Sequence, residues 1–253
     1  MAEQAGKRSI LLTGAGGDIG TEFRAYSGDR YAMRLAGRSD IPLQDGERAE
    51  VISLDIADLD ACQAACRGID TIVHLAADRR MYAEFYDSLL ENNIKGVYNI
   101  YRAAKDQGVR RVIFASSVNA VAGAPDQYQA HTTSVPVPLN IYGASKVFGE
   151  AIGAYFNAVE GLGGFAIRIG AFQSQLDKGD GTIPDGKWLS MYVSPRDLSQ
   201  LITRCIESDL DGFHIIHGLS NNAFPFMDIE STKQLLGYAP EDDGFAQFGN
   251  RFS

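Results

Sequence analysis

The sequence predicts an α/β fold in one domain: a doubly wound parallel sheet covered by helices on both faces. Two observations predict it. Short apolar runs alternate with longer amphipathic stretches from residue 8 to residue 218, the pattern of parallel strands joined by crossover helices. The first junction, "LLTGAGGDIG" at residues 11–20, places four glycines directly after an apolar run, where a strand must turn sharply into a helix.

In chain order, "RSILLTGA" is a strand and "IGTEFRAYS" the helix after it, followed by the strands "YAMRLAG" and "AEVISLD". "DLDACQAACRG" is helical and "IDTIVHLAA" a strand; "FYDSLLENNIKGVYNIYRAAKDQG" is one long amphipathic helix that stops at Gly108, and "VRRVIFASS" is the next strand. A second long helix, "IYGASKVFGEAIGAYFNAVEG", leads into the strand "GFAIRIGA". Residues 172–188, rich in Gly, Asp and Lys, form a loop that suits a lid over a site. "SPRDLSQLITRCIES" is a helix capped by Ser194, "GFHIIHG" a late strand and "DIESTKQLLGY" a short closing helix. No linker sets off a second domain, so residues 171–253 fold back to contribute the substrate pocket.

With 253 residues and 45% hydrophobic content, the chain can bury a large core. The net charge of -9 argues against nucleic acid and anionic membrane as partners. An anionic small substrate would require Arg or Lys placed locally. Cys62, Cys66 and Cys205 have no further metal ligands in pattern and read as structural thiols of a reducing compartment. No run approaches the roughly 18 residues of a membrane helix, and the start lacks a signal-peptide stretch. These features place the protein in the cytoplasm.

The glycine turn has a chemistry. Gly14 makes the turn, Gly17 lets backbone approach a pyrophosphate and Gly20 allows close packing, while the helix start at Asp18 and Ile19 points free N–H groups at phosphate. This is the dinucleotide site of a Rossmann-type fold. The second strand ends "RLAGRSD", with Gly37 where an acid would bind the ribose of NAD and Arg38 after it. Arg38 suits a 2′-phosphate and favours NADP over NAD. Alternatively, Arg38 stacks on adenine and Asp40 binds the ribose. Asp55 either accepts from the adenine amino group or serves as a helix N-terminal acid.

"IYGASK" places Tyr142 and Lys146 four residues apart, on one helical face. Ser116 and Ser117 end a strand, where an open parallel sheet presents ligands. A tyrosine phenol has a pKa near 10. A neighbouring ammonium and a positive nicotinamide lower it. Phenolate then removes a proton from a substrate alcohol while hydride leaves for the nicotinamide, with Ser117 holding the reacting oxygen.

The segments "TGAGGDIG", "DIAD", "HLAA", "NNIKG", "FASS", "YGASK" and "RIGA", in that order, make the chain resemble the extended short-chain dehydrogenase/reductases, the NAD-dependent epimerase/dehydratases. The resemblance implies Ser117, Tyr142 and Lys146 as the catalytic set. It implies that Asn93 steadies the site near the nicotinamide and Lys146, and that Leu75, Ala76 and Ala77 line the cofactor. Ile56 and Ile169 complete the expected cofactor residues. Little chain follows the sheet, which leaves a nucleotide-sugar site cramped. The run from "FASS" to "LLGYAPEDD" looks most like the small uronate dehydrogenases and is similar to dehydrogenases of hexose 6-phosphates. That implies oxidation of an anomeric hydroxyl to a lactone, with no metal.

The pocket departs from the uronate dehydrogenase pattern. Val118 and Asn119 follow Ser117, Ala171 stands where that group has Ser, and Lys187 falls where its carboxylate-gripping Arg lies. Substrate residues are therefore expected at Arg79, Ser117, Asn119, Tyr142, Ala171 and Lys187. Arg79 and Arg80 are otherwise a solvated pair, Lys187 a loop residue and Asn93 a mid-helix polar group. His74 reads as a core residue, and His131, His214 and His217 show no metal spacing. Two other functions remain open: an epimerase or dehydratase that retains NAD, and a non-catalytic dinucleotide sensor. The resemblance also implies a homodimer through the two long helices, with Tyr155 and Phe156 among their apolar residues.

Overall fold

Seven strands form one parallel sheet in the computed structural model, which describes residues 6–125, 128–172 and 186–248. They are β1 (Ser9–Thr13), β2 (Ala32–Gly37), β3 (Ala49–Ser53), β4 (Thr71–His74), β5 (Arg111–Ser117), β6 (Gly163–Ile169) and β9 (Phe213–Gly218). The order is β3-β2-β1-β4-β5-β6-β9, and every pair is parallel. The chain runs outward from β1 to β3, then restarts at β4 on the other side of β1. The carboxyl ends of β1 and β4 therefore flank the switch point, where such sheets open a ligand crevice.

Alternation along the strands divides the core. Leu12, Val73 and Ile113 face one layer with Phe23 of α1 (Asp18–Ser27) and Leu198, Leu201 and Ile202 of α6 (Pro195–Glu207). Leu11, Ile72 and Phe114 face the other, packed by α2 (Leu59–Cys66), α3 (Gly96–Asp106) and α4 (Ile141–Glu160). Ser194 caps α6, its hydroxyl accepting from the Asp197 N–H, as expected. Asp197 is itself fully buried and accepts from Ser220 Oγ and from the N–H groups of Glu241 and Asp242. This holds the C-terminal tail against the sheet.

Several expectations need correction. The predicted helix over 85–108 is two segments: Phe85–Lys95 winds with i→i+5 hydrogen bonds, as in Leu89 N–H to Glu84 O, before α3 begins at Gly96. Such wide turns tend to sit at functional sites, and this one carries Asn93. The strand expected to reach Ala171 ends at Ile169: the Ala171 N–H turns to the Met191 carbonyl at 2.7 Å, and Gly170, where a Cβ would lie 2.0 Å from that oxygen, allows the close approach. Ala171 then belongs to a short strand, β7 (Ala171–Phe172), paired with β8 (Tyr192–Val193) outside the main sheet. Lys187 lies on α5 (Gly186–Ser190) rather than in a loop; the rest of the expected lid, residues 173–185, falls outside the described residues. The closing helix is shorter, α7 (Glu230–Leu236), and a further helix, α8 (Gly244–Phe248), follows it. Phe156 is core, whereas Tyr155 is exposed.

All three cysteines are free and buried, and burial pushes the Cys62 and Cys66 thiols up to about 12, so they are inert. Among the described residues no helix is long and apolar enough to cross a membrane, and no cluster of ligating side chains could hold a metal ion.

Candidate active site

The glycine turn binds the two ends of the switch point together. Gly14 has φ +70, and a Cβ there would lie 2.8 Å from the Ala76 nitrogen, so the turn touches the backbone after β4. Gly14 and Ala15 donate their N–H groups to the Ala36 carbonyl at the end of β2. Gly20 packs on the turn itself, since its Cβ would meet Gly14 O at 2.6 Å, a closer neighbour than the sheet expected from sequence. Gly17 caps α1 with backbone alone and no side-chain acceptor. A helix start with no capping side chain is the kind of position that suits an anion.

A cleft runs from this turn across the carboxyl edge. Gly14, Arg38, Ile56, Ala76 and Ala77 line it, as expected from sequence, with Gly37, Leu54 and Asn92 beside them. Arg38 is exposed where it lines the cleft. The uncapped helix start, the glycine contact and this cleft fit a dinucleotide. Other predicted cofactor residues lie elsewhere. Asp55 is exposed and bonds locally to the Ala57 N–H, while the N-cap acid of α2 is Asp58. Ile169 is a buried core residue at the end of β6, and Leu75 packs against the same core layer.

Tyr142 and Lys146 share one face of α4, the ammonium 5.5 Å from the centre of the phenol ring. Asn140 caps this helix, its Oδ1 accepting from the Gly143 N–H at 2.7 Å, and its Nδ2 donates to Asn119 Oδ1 at 3.0 Å. Asn119 in turn donates to Ser117 Oγ from its backbone N–H at 3.1 Å and from Nδ2 at 3.3 Å. With two donors filling its lone pairs, the Ser117 hydroxyl is set to give its own proton outward. Asn119 therefore acts first as an orienter of Ser117. The Asn140 cap was missed in the sequence reading, although an Asn immediately before a periodic helix is a readable N-cap signal.

Lys146 is buried and donates to the Ala115 carbonyl at 2.8 Å; desolvation brings its pKa down to about 8. Tyr142 departs from the simplest expectation. Burial pushes the phenol above its ordinary value, opposed by a hydrogen bond from Ser117 and the charge of Arg79, while the Asp78 carboxylate adds to the rise. The ammonium of Lys146 alone does not bring the phenol below its usual range.

Asn93 sits one residue from Lys146 rather than on it. Its Oδ1 accepts from the Asp78 N–H, and its Nδ2 donates to the Asp78 carbonyl and to Ser145 Oγ. It thereby clamps the strand-end loop to α4, and the loop carries Arg79. Arg79 pairs with Asp18 at 2.5 Å, and Arg80 with Asp78 at 2.6 Å. Lys187 is exposed on α5, its ammonium 5.5 Å from the Phe226 ring. His74 is buried, shares a hydrogen bond of 2.7 Å between its Nδ1 and Thr13 Oγ1, and is pushed down to about 3 by burial and by Lys146, which keeps it neutral.

The fold and site define a dinucleotide-binding Rossmann protein with a Ser–Tyr–Lys constellation at the edge of its cofactor cleft. The family model described as the NAD dependent epimerase/dehydratase family matches residues 10–192. This chain belongs to that family. It is 35% identical to the NAD-dependent glucose-6-phosphate dehydrogenase of Haloferax volcanii, covering 92% of this chain and 93% of that protein. It is 32% identical to the uronate dehydrogenase of Pseudomonas putida, covering 92% and 84%. Among solved structures, a mutant of the Agrobacterium tumefaciens uronate dehydrogenase complexed with NAD superimposes with a TM-score of 0.85 at 27% identity, over 97% of this chain and 90% of that one.

Proposed function

We propose that this protein is an NAD(P)-dependent dehydrogenase that oxidises the anomeric hydroxyl of a free sugar derivative, a uronate or other anionic hexose, to its lactone. The observation that carries this reading is the convergence of the Tyr142 phenol, the Ser117 hydroxyl and the Lys146 ammonium beside the dinucleotide cleft. Similarity to dehydrogenases of glucose 6-phosphate and of uronate over nearly the whole chain supports the substrate class.

When bound, an oxidised nicotinamide would supply the hydride acceptor; Ser117 and Arg79 favour phenolate at Tyr142, and a positive ring beside it would act in the same direction. Tyr142 takes the proton of the anomeric hydroxyl as its carbon loses hydride, leaving the lactone carbonyl. Ser117 would donate to the reacting oxygen, and Lys146 would hold the nicotinamide ribose while its charge steadies the phenolate. Arg79 and Lys187 are the cations for the anionic end of the sugar, and Asn119 and Ala171 complete its pocket. Arg38, with no acid at position 37, favours NADP. We further assign the protein to the cytoplasm, supported by its three free thiols, and to a homodimer, supported by exposed Tyr98 and Tyr155 on α3 and α4.

The test is cofactor reduction, followed by absorbance, with aldoses, uronates and phosphorylated hexoses offered to each cofactor. Net reduction with an anionic hexose is expected; interconversion of sugars with no net reduction would establish an epimerase instead. Tyr142→Phe should cut turnover by about 10²- to 10⁴-fold while dinucleotide affinity holds. Retained turnover in that variant would refute the proton relay.

A further inference from the structure

Beneath the catalytic seam lies a charged cluster that the chemistry above does not use. Glu150 and Arg168 are both buried, and Arg168 grips the carboxylate with two hydrogen bonds of 2.9 Å, from Nε to Oε1 and from Nη2 to Oε2. Ser116 donates to the same Oε1 at 2.6 Å. Ser116 and Arg168 are direct partners across β5 and β6, and Glu150 descends on them from α4, one turn beyond Lys146. Stability alone is a poor reason for such a cluster. Desolvation offsets most of the attraction in a buried ion pair, and Arg168 Nη1 is buried with no hydrogen-bond partner among the described residues.

Its place in the fold supplies a better reason. Gly149 presses α4 flat on β5: a Cβ there would lie 2.2 Å from the Phe114 ring. A flat contact fixes how close helix and strand come but not how far one slides along the other. The slide is set by polar bonds on either side of Gly149, from Lys146 Nζ to Ala115 O and from Ser116 Oγ to Glu150. Ser117, the next residue of β5, is the one that meets Tyr142. Three consecutive strand residues thus engage three residues of one helix, two at the chemistry and one below it.

We propose that Ser116, Glu150 and Arg168 form a positioning network that fixes where Tyr142 and Lys146 stand relative to Ser117. The network touches neither sugar nor cofactor. It acts by holding the helix in register with the strand end, and Arg168 serves to hold the Glu150 carboxylate aimed at Ser116. The inference rests on the dehydrogenase reading for its kinetic test.

Ser116→Ala is the lead variant, because it removes one hydrogen bond and leaves the ion pair intact. The expected result is a fall in kcat of between about tenfold and a hundredfold. KM for sugar and cofactor should stay within about twofold, since neither touches the network. Ser116→Thr, which keeps the hydroxyl, should recover most of the loss. The pH dependence of kcat should keep its position, because the network acts through geometry. Wild-type kcat in folded Ser116→Ala, a kcat loss that Thr does not restore, or a displaced pH limb would each overturn the proposal. Should the wild type reduce no cofactor with any sugar, the dehydrogenase reading fails by itself. The positioning claim is then decided by crystal structures: a shift of Ser117 Oγ relative to the Tyr142 ring in Ser116→Ala supports it, and superimposable sites refute it.

Discussion

Lys146 gives its buried ammonium to a backbone carbonyl, that of Ala115 at 2.8 Å, and its pKa falls to about 8 through desolvation. A carbonyl dipole compensates a buried cation less well than a carboxylate does. The folded state therefore binds the Lys146 proton less tightly than the unfolded chain, whose lysine keeps its value of 10.5. Between these values the unfolded state carries more protons, so this residue makes stability rise with pH from about 8 to 10.5, and its burden is full below about 8.

Lys146→Met should accordingly stabilise the protein, by about 2 kcal/mol at neutral pH. The gain should shrink as pH climbs toward 10.5, the unfolded value. Turnover should be lost in the same variant, a trade of function against stability. Denaturant unfolding of both proteins across this pH range checks the claim; a destabilised variant at neutral pH contradicts it.

Arg79 and Asp78 act on the Tyr142 phenol with opposite signs, Arg79 lowering and Asp78 raising its pKa. Arg79→Gln should move the rising limb of kcat against pH to higher pH, and Asp78→Asn should move it to lower pH. Because Arg79 is more than half exposed, the first shift should weaken as salt is added. Steady-state profiles at low and high ionic strength check both directions, and shifts of the same sign would exclude an electrostatic role.

Much of this arrangement was legible from sequence because it depends on local periodicity. Strand, glycine turn and helix fix the dinucleotide site within one βα unit, and the spacing of Tyr142 and Lys146 fixes their common face. What was hidden depends on partners distant in the chain. Asn93 is expected at the site only through the resemblance, and its partners Asp78 and Ser145 come to it only in the fold. Arg79 has no readable partner until β4 delivers it to Asp18. Ala171 reads as part of a continuing strand because its hydrogen-bond partner, the Met191 carbonyl, lies on a segment that periodicity does not place. The wide helical turn at Phe85–Lys95 has a one-residue excess that an amphipathic pattern does not register.

His74 makes an acid-stability prediction. Folded, it is neutral down to about 3; unfolded, it takes a proton near the ordinary histidine value of 6.5. Below that value the unfolded state binds the extra proton, so stability is lost as pH falls from about 6.5 toward 3. At mildly acidic pH, one to two units below the unfolded value, the loss from this residue is about 2 kcal/mol. His74→Asn keeps an acceptor for Thr13 and cannot titrate, so its stability should fall less steeply over the same range. Equal slopes in chemical unfolding at neutral and mildly acidic pH would rule this out.

Cofactor choice should turn on two neighbours at the end of β2. Arg38 is exposed and lines the cleft, with Gly37 beside it. A guanidinium there favours a 2′-phosphate through charge-assisted hydrogen bonds, which are worth about 1.5–3 kcal/mol. Arg38→Ala should therefore weaken NADP by roughly tenfold to a hundredfold and leave NAD nearly unchanged. Gly37→Asp should do the reverse, since a carboxylate accepts from the free ribose hydroxyl of NAD and repels the phosphate of NADP. The site admits a Cβ if Ile41 gives by a few tenths of an ångström: it would meet Ile41 Cδ1 at 3.2 Å, with Ile41 Cγ1 and Ser39 O in ordinary contact at 3.7 and 3.8 Å. Equilibrium titration of each variant with both dinucleotides decides the matter. If Arg38→Ala loses NAD and NADP alike, Arg38 stacks on the adenine common to both, and the preference for NADP falls.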